Sequence, residues 1–408
     1  MKKFLSMFLA VLMICSCVTL LASCDNPNDS ELVPVSKESL KIGFIFLHDD
    51  KSTYDKNFID AAKAVQEKLG LRDDQVILET GISEEADCYD KAADLVDQGC
   101  HLIFADSFGH EQWLIKAAKE FKNVQFCHAT GVRAHTENLP NFHNAFASIY
   151  EGRYLAGVAA GLKLNEMIAN GDITEAQAKM GYVGAYAYAE VISGYTSFYL
   201  GAKSVCPSVT MEVDFTNEWY HVDYERNKAN ALIDRGCVLI SQHADSLGAP
   251  GACEAKGVPN VSYNGSTIQS CPNTFIVSSR INWAPYFEYM INCVINGEPI
   301  ATDWCGTIST GSVVLTDVNT NVAAEGTAAT LEEIKAKLVS GEISVFDTDN
   351  FTVNGEKLTS YMANVDDDAK HTPDTEAIKD GIFEESKHRS APYFDFDIDG
   401  IIRLDKAN

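Results

Sequence analysis

The sequence predicts an α/β protein of two similar lobes, each a parallel sheet flanked by helices. Three observations predict it. Short apolar runs rich in β-formers alternate with amphipathic helical stretches, a strand-then-helix grammar that repeats at ~25–30 residues. The grammar restarts after about residue 150. One phrase also occurs in both halves, an acidic helix, then Gly-Cys, then an apolar strand ending near an Asp. It reads Leu95-Val-Asp-Gln-Gly-Cys-His-Leu-Ile-Phe-Ala-Asp106 and Leu232-Ile-Asp-Arg-Gly-Cys-Val-Leu-Ile-Ser-Gln-His-Ala-Asp245.

The elements follow in order. Lys41–Leu47 is a short apolar run that fits a strand buried on both faces. Asn57–Leu69 places Phe58, Ala61, Ala62, Val65 and Leu69 at helical spacing, with Gly70 as the C-cap. Strands at 75–79, 100–105 and 124–128 alternate with helices at 86–98, stopped by Gly99, and at 111–121. In the second half, helices at 150–164, 190–202, 223–234 and 247–255 alternate with strands at 179–184, 209–215, 237–241 and 259–263. A final block holds helices at 285–295 and 331–338 with several short strands. In open parallel sheets ligands bind outside the carboxyl ends of the strands, and two lobes facing one another enclose a cleft there.

The chain has 408 residues, 46% hydrophobic and 22% charged, enough for about two domains and a sizeable core. Thirty-two Lys+Arg against 58 Asp+Glu exclude broad contact with a nucleic-acid polymer, whose phosphates need clustered positive charge.

Met1-Lys-Lys3 is a basic start, Phe4–Ala22 carries no charge, and Leu21-Ala-Ser-Cys24 precedes an abrupt polar run. Basic start, apolar stretch and small residues before a cut describe an export signal. The last four residues are similar to the bacterial lipobox, in which cleavage leaves an amino-terminal cysteine that is then acylated. We therefore expect residues 1–23 as signal peptide and 24–37 as lipidated Cys24 and tether, on a protein anchored at the extracytoplasmic face of the cell membrane. Removing Lys2 and Lys3 leaves 30 basic against 58 acidic residues, a net charge of −28, expected on a solvated outer surface.

Of 12 cysteines, Cys15 and Cys17 leave with the signal and Cys24 takes the lipid, so nine remain, an odd number. None is arranged as Cys-x-x-Cys or with zinc-ligand His spacing, so no metal site is expected. Several sit in apolar strand-like runs, as in Val-Gln-Phe-Cys127, and are read as small buried hydrophobes rather than a disulfide framework.

An exported lipoprotein with two such lobes resembles the substrate-binding proteins of ABC importers, and particular phrases narrow the resemblance. Lys41-Ile-Gly-Phe-Ile-Phe with Ser52-Thr-Tyr-Asp-Lys-Asn-Phe58, Ala105-Asp-Ser-Phe-Gly109 and Tyr150-Glu-Gly-Arg-Tyr-Leu-Ala-Gly157 are similar to the basic membrane protein family. So are Gly181-Tyr-Val-Gly184, Asn217-Glu-Trp219, Gln242-His-Ala-Asp-Ser246, Asn282-Trp-Ala-Pro-Tyr286, Ser390-Ala-Pro-Tyr-Phe394 and Asp399-Gly-Ile-Ile402. This family includes purine-nucleoside receptor lipoproteins, and the similarity runs in order through nearly the whole mature chain.

The resemblance implies a type I periplasmic-binding-protein fold with a hinged cleft. It divides the chain into 38–148 plus about 280–310 as one lobe and 149–279 plus about 311–408 as the other. It implies a monomer that binds a small nucleoside-like ligand and passes it to an ABC permease, without cofactor and without catalysis. Position and chemistry select the cleft residues. Asp49, Asp50, Ser52 and Tyr54 follow the first strand; Asp106, Ser107 and Phe108 follow the third; His243, Asp245 and Ser246 occupy the matching loop of the second half. Family members sandwich a base between aromatic rings and hold ribose hydroxyls with a carboxylate. By position Asp106 and Asp245 would accept from hydroxyl or N–H groups, and Tyr54, Phe108 and Trp219 would stack. Tyr186, Tyr188 and Trp283 are further candidates. Many relatives carry an Asp shortly after the Tyr-Asn that ends the next strand, whereas here the run is Tyr263-Asn-Gly-Ser-Thr267. Either Asn264 or Ser266 substitutes, or the ligand lacks the group that Asp would hold.

A nucleoside hydrolase is a competing class, but Asp49-Asp50 lack the companion carboxylates of a calcium site. No Gly-x-Ser-x-Gly, Walker loop or His-Glu-x-x-His is present. A sensory or surface receptor using the same cleft, or binding of a free base or sugar, is the alternative to nucleoside transport.

Overall fold

The computed structural model describes residues 32–365 and 375–406. The signal sequence, Cys24 and most of the expected tether lie outside these residues. Among the described residues no helix is long and apolar enough to cross a membrane.

The first half of the chain gives β1 (Ile42–Ile45), α1 (Thr53–Leu69), β2 (Val76–Glu79), α2 (Ala86–Asp97), β3 (Leu102–Ala105), α3 (Glu111–Glu120), β4 (Gln125–Ala129), the single turn α4 (Ala134–Glu137) and β5 (Phe142–Ala147). The chain then crosses to a second layer through α5 (Ile149–Asn170). There it forms β6 (Lys179–Gly184), α6 (Ala189–Val205), β7 (Thr210–Phe215), α7 (Val222–Asp234), β8 (Leu239–His243), α8 (Gly248–Lys256), β9 (Asn260–Tyr263) and β10 (Phe275–Ile281). It crosses back for α9 (Ala284–Asn296), which packs on α1, and for β11 (Asp303–Gly306). It returns through β12 (Val313–Leu315) and α10 (Thr327–Ser340), then the small hairpins β13–β14 (Met362–Ala363, Thr375–Glu376) and β15–β16 (Ile378–Lys379, Ile382–Phe383), and ends in β17 (Ile401–Arg403).

The two large sheets have the orders β11-β5-β4-β3-β1-β2 and β12-β10-β9-β8-β6-β7-β17. Every pairing in them is parallel except β12 on β10. Three crossings join them, near 148, 282 and 307–312, and the crossings hold one another: Ser148 N donates to Gly306 O at 2.8 Å and Asn282 N to Ser312 O at 2.7 Å. Fold class and parallel order are as the alternation predicts.

The repeated phrase has a physical basis. After α2, Gly99 takes φ 87° and donates to Val96 O at 2.8 Å, while Cys100 N donates to Leu95 O at 3.0 Å. After α7, Gly236 takes φ 89° and donates to Ile233 O at 2.9 Å, while Cys237 N donates to Leu232 O at 3.1 Å. Both are the same left-handed helix stop, which needs glycine at the turn. Each motif also seats a leucine over a glycine of an inner strand of its sheet, Gly43 in β1 and Gly181 in β6. A Cβ on Gly43 would lie 2.6 Å from Leu95 Cδ1, and one on Gly181 3.0 Å from Leu232 Cβ. The following cysteines, Cys100 and Cys237, are buried. All nine cysteines from Cys88 to Cys305 are free thiols, eight of them buried.

Helix α1 and strand β5 show where the sequence reading falls short. Helix α1 begins at Thr53 rather than Asn57, because Ser52 caps it by accepting from Asp55 N at 3.2 Å. Strand β5 escapes a reading based on apolar runs because His143 and Asn144 interrupt it. Both are buried and bonded, His143 Nε2 2.9 Å from Gln125 Oε1 and Asn144 Nδ2 donating to Glu111 at 3.2 Å.

The closest helix contact is α5 on α6, where a Cβ on Gly157 would strike the Phe198 carbonyl and one on Gly201 the Tyr154 carbonyl. Because backbone cannot yield as a side chain tip does, we expect Gly157→Ala to destabilise by about 1–3 kcal/mol in urea melts. Gly251→Ala, in α8 with no atom within 4 Å of the new Cβ, should instead stabilise by up to about 1 kcal/mol.

Candidate functional site

A cavity of about 390 Å³ lies between the two sheets, lined by the segments that leave their strand C-ends. From the first sheet come Leu47 and His48 after β1, Tyr54 and Asp55 at the start of α1, Ser107 and Phe108 after β3, and Thr130 after β4. From the second come Glu190 at the start of α6, Trp219 after β7, His243 and Asp245 at and after β8, and Tyr263 at the end of β9. This is where parallel sheets place ligands.

Each side chain is held by its local chain. Ser52 Oγ donates to Asp55 Oδ2 at 2.5 Å and His48 N to Asp55 Oδ1 at 2.7 Å, so the acid of a helix cap is also fastened to the loop above β1. Asp106 is 0% exposed; its Oδ1 accepts from Leu47 N at 3.1 Å and its Oδ2 is buried without a partner among the described residues. Burial, and then the Asp55 carboxyl facing it, push the Asp106 carboxyl well above the usual carboxylate range. Asp245 accepts from Asn264 Nδ2 at 3.3 Å, and burial, then Asp55, Glu225 and Glu190, raise its carboxyl well above that range too. His243 lies between Glu190, 3.3 Å from its Nε2, and the Tyr263 ring, 4.2 Å between centroids. Its burial lowers the imidazole pKa against the opposing pull of Glu190, which favours a neutral ring.

Aromatic faces close the space. Tyr54 donates its hydroxyl to Asp106 O at 2.8 Å, leaving the ring along the wall. Ser107 Oγ and Gly109 N both donate to Glu84 Oε1, at 2.5 and 2.8 Å, and this fixes the turn that presents Phe108. Phe108, 38% exposed, meets Tyr188, 43% exposed, from the opposite sheet at 5.2 Å. Tyr188 stacks on Tyr186, whose ring edge meets Trp219 at 5.1 Å. The sheets also touch directly: Thr53 N and Oγ1 donate to Asp245 O at 3.0 and 3.2 Å, and Asn57 Nδ2 lies 3.4 Å from Asn264 Oδ1.

Of the residues selected from sequence, Tyr54, Ser107, Phe108, Trp219, His243 and Asp245 line the cavity. Asp106 lies against Asp55 at its floor and Tyr186 stands behind Trp219. Six are placed elsewhere. Trp283 is 1% exposed and stacks on Phe58 at 4.5 Å, because the crossing before α9 turns it into the core. Asp49 pairs with Lys51 at 3.0 Å in solvent and Asp50 is exposed. Ser52 is consumed as the α1 cap, and Asn264 sits in the seam, at φ 65°, turned to Asp245 and Asn57. Ser266 borders a separate groove. The sequence reading missed Leu47, His48, Asp55, Thr130, Glu190 and Tyr263. Asp55 has a visible signal, the Ser-x-x-Asp cap spacing directly after a strand, but that pattern also has a purely local explanation. Among the described residues no group of three or more His, Cys, Asp or Glu is arranged to hold a metal ion.

Two parallel sheets joined by three crossings, with a cavity between their strand C-ends, define a solute receptor of the binding-protein class. Solved structures of that class share the architecture. The fold superposes on an ABC transporter solute-binding protein from Conexibacter woesei with TM-score 0.60 at 19% identity, covering 74% of this chain and 97% of that one. It superposes on a solute-binding protein from Aeropyrum pernix with TM-score 0.62 at 16% identity, covering 78% and 94%. Residues 45–349 match the family described as ABC transporter substrate-binding protein PnrA-like, and the chain belongs to that family. A purine-binding protein of Brucella abortus is 31% identical over 351 residues, 81% of this chain and 94% of its own. The protein is thus an extracytoplasmic binding protein that takes up a small solute for an ABC permease, and it is not an enzyme.

The Asp106 environment has a pH signature. With its carboxyl raised well above the usual range, Asp106 binds a proton more tightly in the folded chain than in the unfolded one, so this group's contribution to stability falls as pH rises above about 3.9. We expect urea midpoints of wild type relative to Asp106→Asn to decline steadily from pH 5 to pH 8. A difference independent of pH would show that Asp106 titrates alike in both states.

Proposed function

We propose that the protein binds an uncharged purine nucleoside between its sheets and delivers it to its permease. The observation that carries this reading is that one cavity combines Asp55, Asp245 and Glu190 with the rings of Tyr54, Phe108 and Trp219 and has no Lys or Arg among its lining residues. A phosphate or carboxylate ligand would find no Lys or Arg side chain there to pair with. A nucleoside supplies ribose hydroxyl and base N–H donors to the acids and a flat π-face to the rings. The name of the Brucella relative supports a purine over a sugar.

Calorimetry on ligand-stripped protein against inosine, guanosine, adenosine, their free bases, ribose and the 5′-monophosphates tests this. We expect a purine nucleoside to bind at least 100-fold more tightly than its monophosphate; no binding of any purine species would sink the reading. Stacking on an aromatic ring contributes about 1–3 kcal/mol per base. Trp219→Ala and Phe108→Ala should therefore each weaken the nucleoside by roughly 5- to 150-fold with little change in melting temperature.

The lipobox-like Leu21-Ala-Ser-Cys24 supports a lipid anchor at Cys24. Two or more acyl chains are needed for firm attachment, because one alone binds marginally. Cys24→Ser should move the protein from the membrane fraction to the soluble extracytoplasmic fraction, and retention at the membrane would exclude this anchor.

A further inference from the structure

Beside the seam, on the side away from the cavity, lies a second groove of about 1010 Å³ of open space. Its walls are α1, through Thr53, Lys56, Asn57 and Asp60, and the second sheet, through Asn264, Ser266 and Arg280. The crossing residue Asn282 and Thr316 complete it.

Arg280 is the unusual member. It is half-buried in β10, yet its guanidinium makes no hydrogen bond or ion pair with any described residue. The other arginines are all engaged: Arg72, Arg133, Arg226, Arg235 and Arg403 on carboxylates, Arg153 on hydroxyls, and Arg389 on main-chain carbonyls. This contrast arises in a chain with 58 acidic residues to choose from. The only carboxylate in the groove, Asp60, is taken by Lys56 at 2.9 Å, so the local balance is one positive charge in excess. Withdrawing a guanidinium from water without a partner is costly, and its planar fork matches an oxyanion's two oxygens. Thr53, Asn57, Asn264, Ser266 and Asn282 line the same groove.

We propose that this groove is a second site, for a small oxyanion of the phosphate or carboxylate class, with Arg280 as its anchor and Lys56 as its second cation. It has the opposite electrostatic character to the cavity, and because it is walled by both sheets, an anion there would touch both sides of the seam.

The test is a thermal-shift and calorimetric titration of the mature chain with inorganic phosphate and, separately, acetate, in the absence of any purine. Ionic strength is held constant with chloride. We expect a saturable rise in melting temperature of several degrees with at least one of the two, lost in Arg280→Gln and partly kept in Arg280→Lys. Which anion acts distinguishes a phosphoryl from a carboxylate site. No shift beyond the chloride control, or an equal shift in Arg280→Gln, overturns the proposal. Should Arg280→Gln fail to fold, broadening of the phosphate ³¹P signal by wild type but not by Lys56→Gln decides it. Since no purine is present, failure here leaves the nucleoside reading untouched, and the converse holds.

Discussion

The arrangement of this molecule depends on keeping several acidic side chains out of water and close together with no cation paired to them. Asp55, Asp106, Asp245 and Glu190 gather at the strand C-ends, and like charges in a dry site oppose one another and folding. The fold meets that cost by supplying donors and by holding protons. Main-chain N–H groups of Leu47 and His48 reach Asp106 and Asp55, the Ser52 hydroxyl reaches Asp55, and the Asn264 amide reaches Asp245. These donors come from the loops after β1 and β9 and from the cap of α1, so the shapes of those segments and the protonation of the cavity are one problem with one solution.

The same constraint explains which sequence features could be read. Alternation of apolar runs and amphipathic helices reports the sheets, because those residues respond only to burial. The Gly-Cys phrase reports the two halves, because a left-handed helix stop over a strand glycine admits few alternatives: Gly99 and Gly43 with Leu95, Gly236 and Gly181 with Leu232. Asp106, Asp245, Phe108 and Trp219 were visible as polar or aromatic residues directly after strands. Strand β5 was hidden because His143 and Asn144 make it look like a loop, although both are buried and each makes a side-chain hydrogen bond. Trp283 looked like a site residue because it follows a strand, but the crossing that carries it turns inward onto Phe58. Asp55 was hidden by its own cap, one residue performing two tasks of which only the local one has a sequence signature.

The C-terminal part of the chain adds a second level of organisation. The family match ends at residue 349, yet the segment beyond it joins both sheets. β17 pairs with β7 at the edge of the second sheet, Tyr195 donates to Asp397 at 2.9 Å, and Ser193 donates to Glu385 at 2.6 Å. On the other side, Ser390 donates through both its N–H and its hydroxyl to Asp303 of β11, at 3.0 and 2.9 Å. Between these fastenings the segment packs Phe383, Phe394 and Phe396 against Phe346, Phe351 and Tyr361. Asp303 and Gly306 lie on the short strand between two crossings, so the segment grips the first sheet near its junction with the second, where rotation moves it least.

That geometry sets what a ligand must supply. The direct contacts across the cavity side are few among the described residues: the Thr53 donors on Asp245 O, the Asn57–Asn264 approach at 3.4 Å and the Phe108–Tyr188 and His48–Tyr220 ring pairs. At about 0.5–1.5 kcal/mol for a hydrogen bond and a similar figure for an aromatic pair, they sum to only a few kcal/mol. Against them stands the withdrawal from water of carboxyls whose second oxygens, as at Asp106 Oδ2, have no protein partner. The two act in opposite directions on the approach of the two sheets. A solute bearing several N–H or O–H donors changes the balance on the unfavourable side, by giving those oxygens the partners the chain withholds. Its differential affinity for the closed form is then what drives closure, as linkage requires.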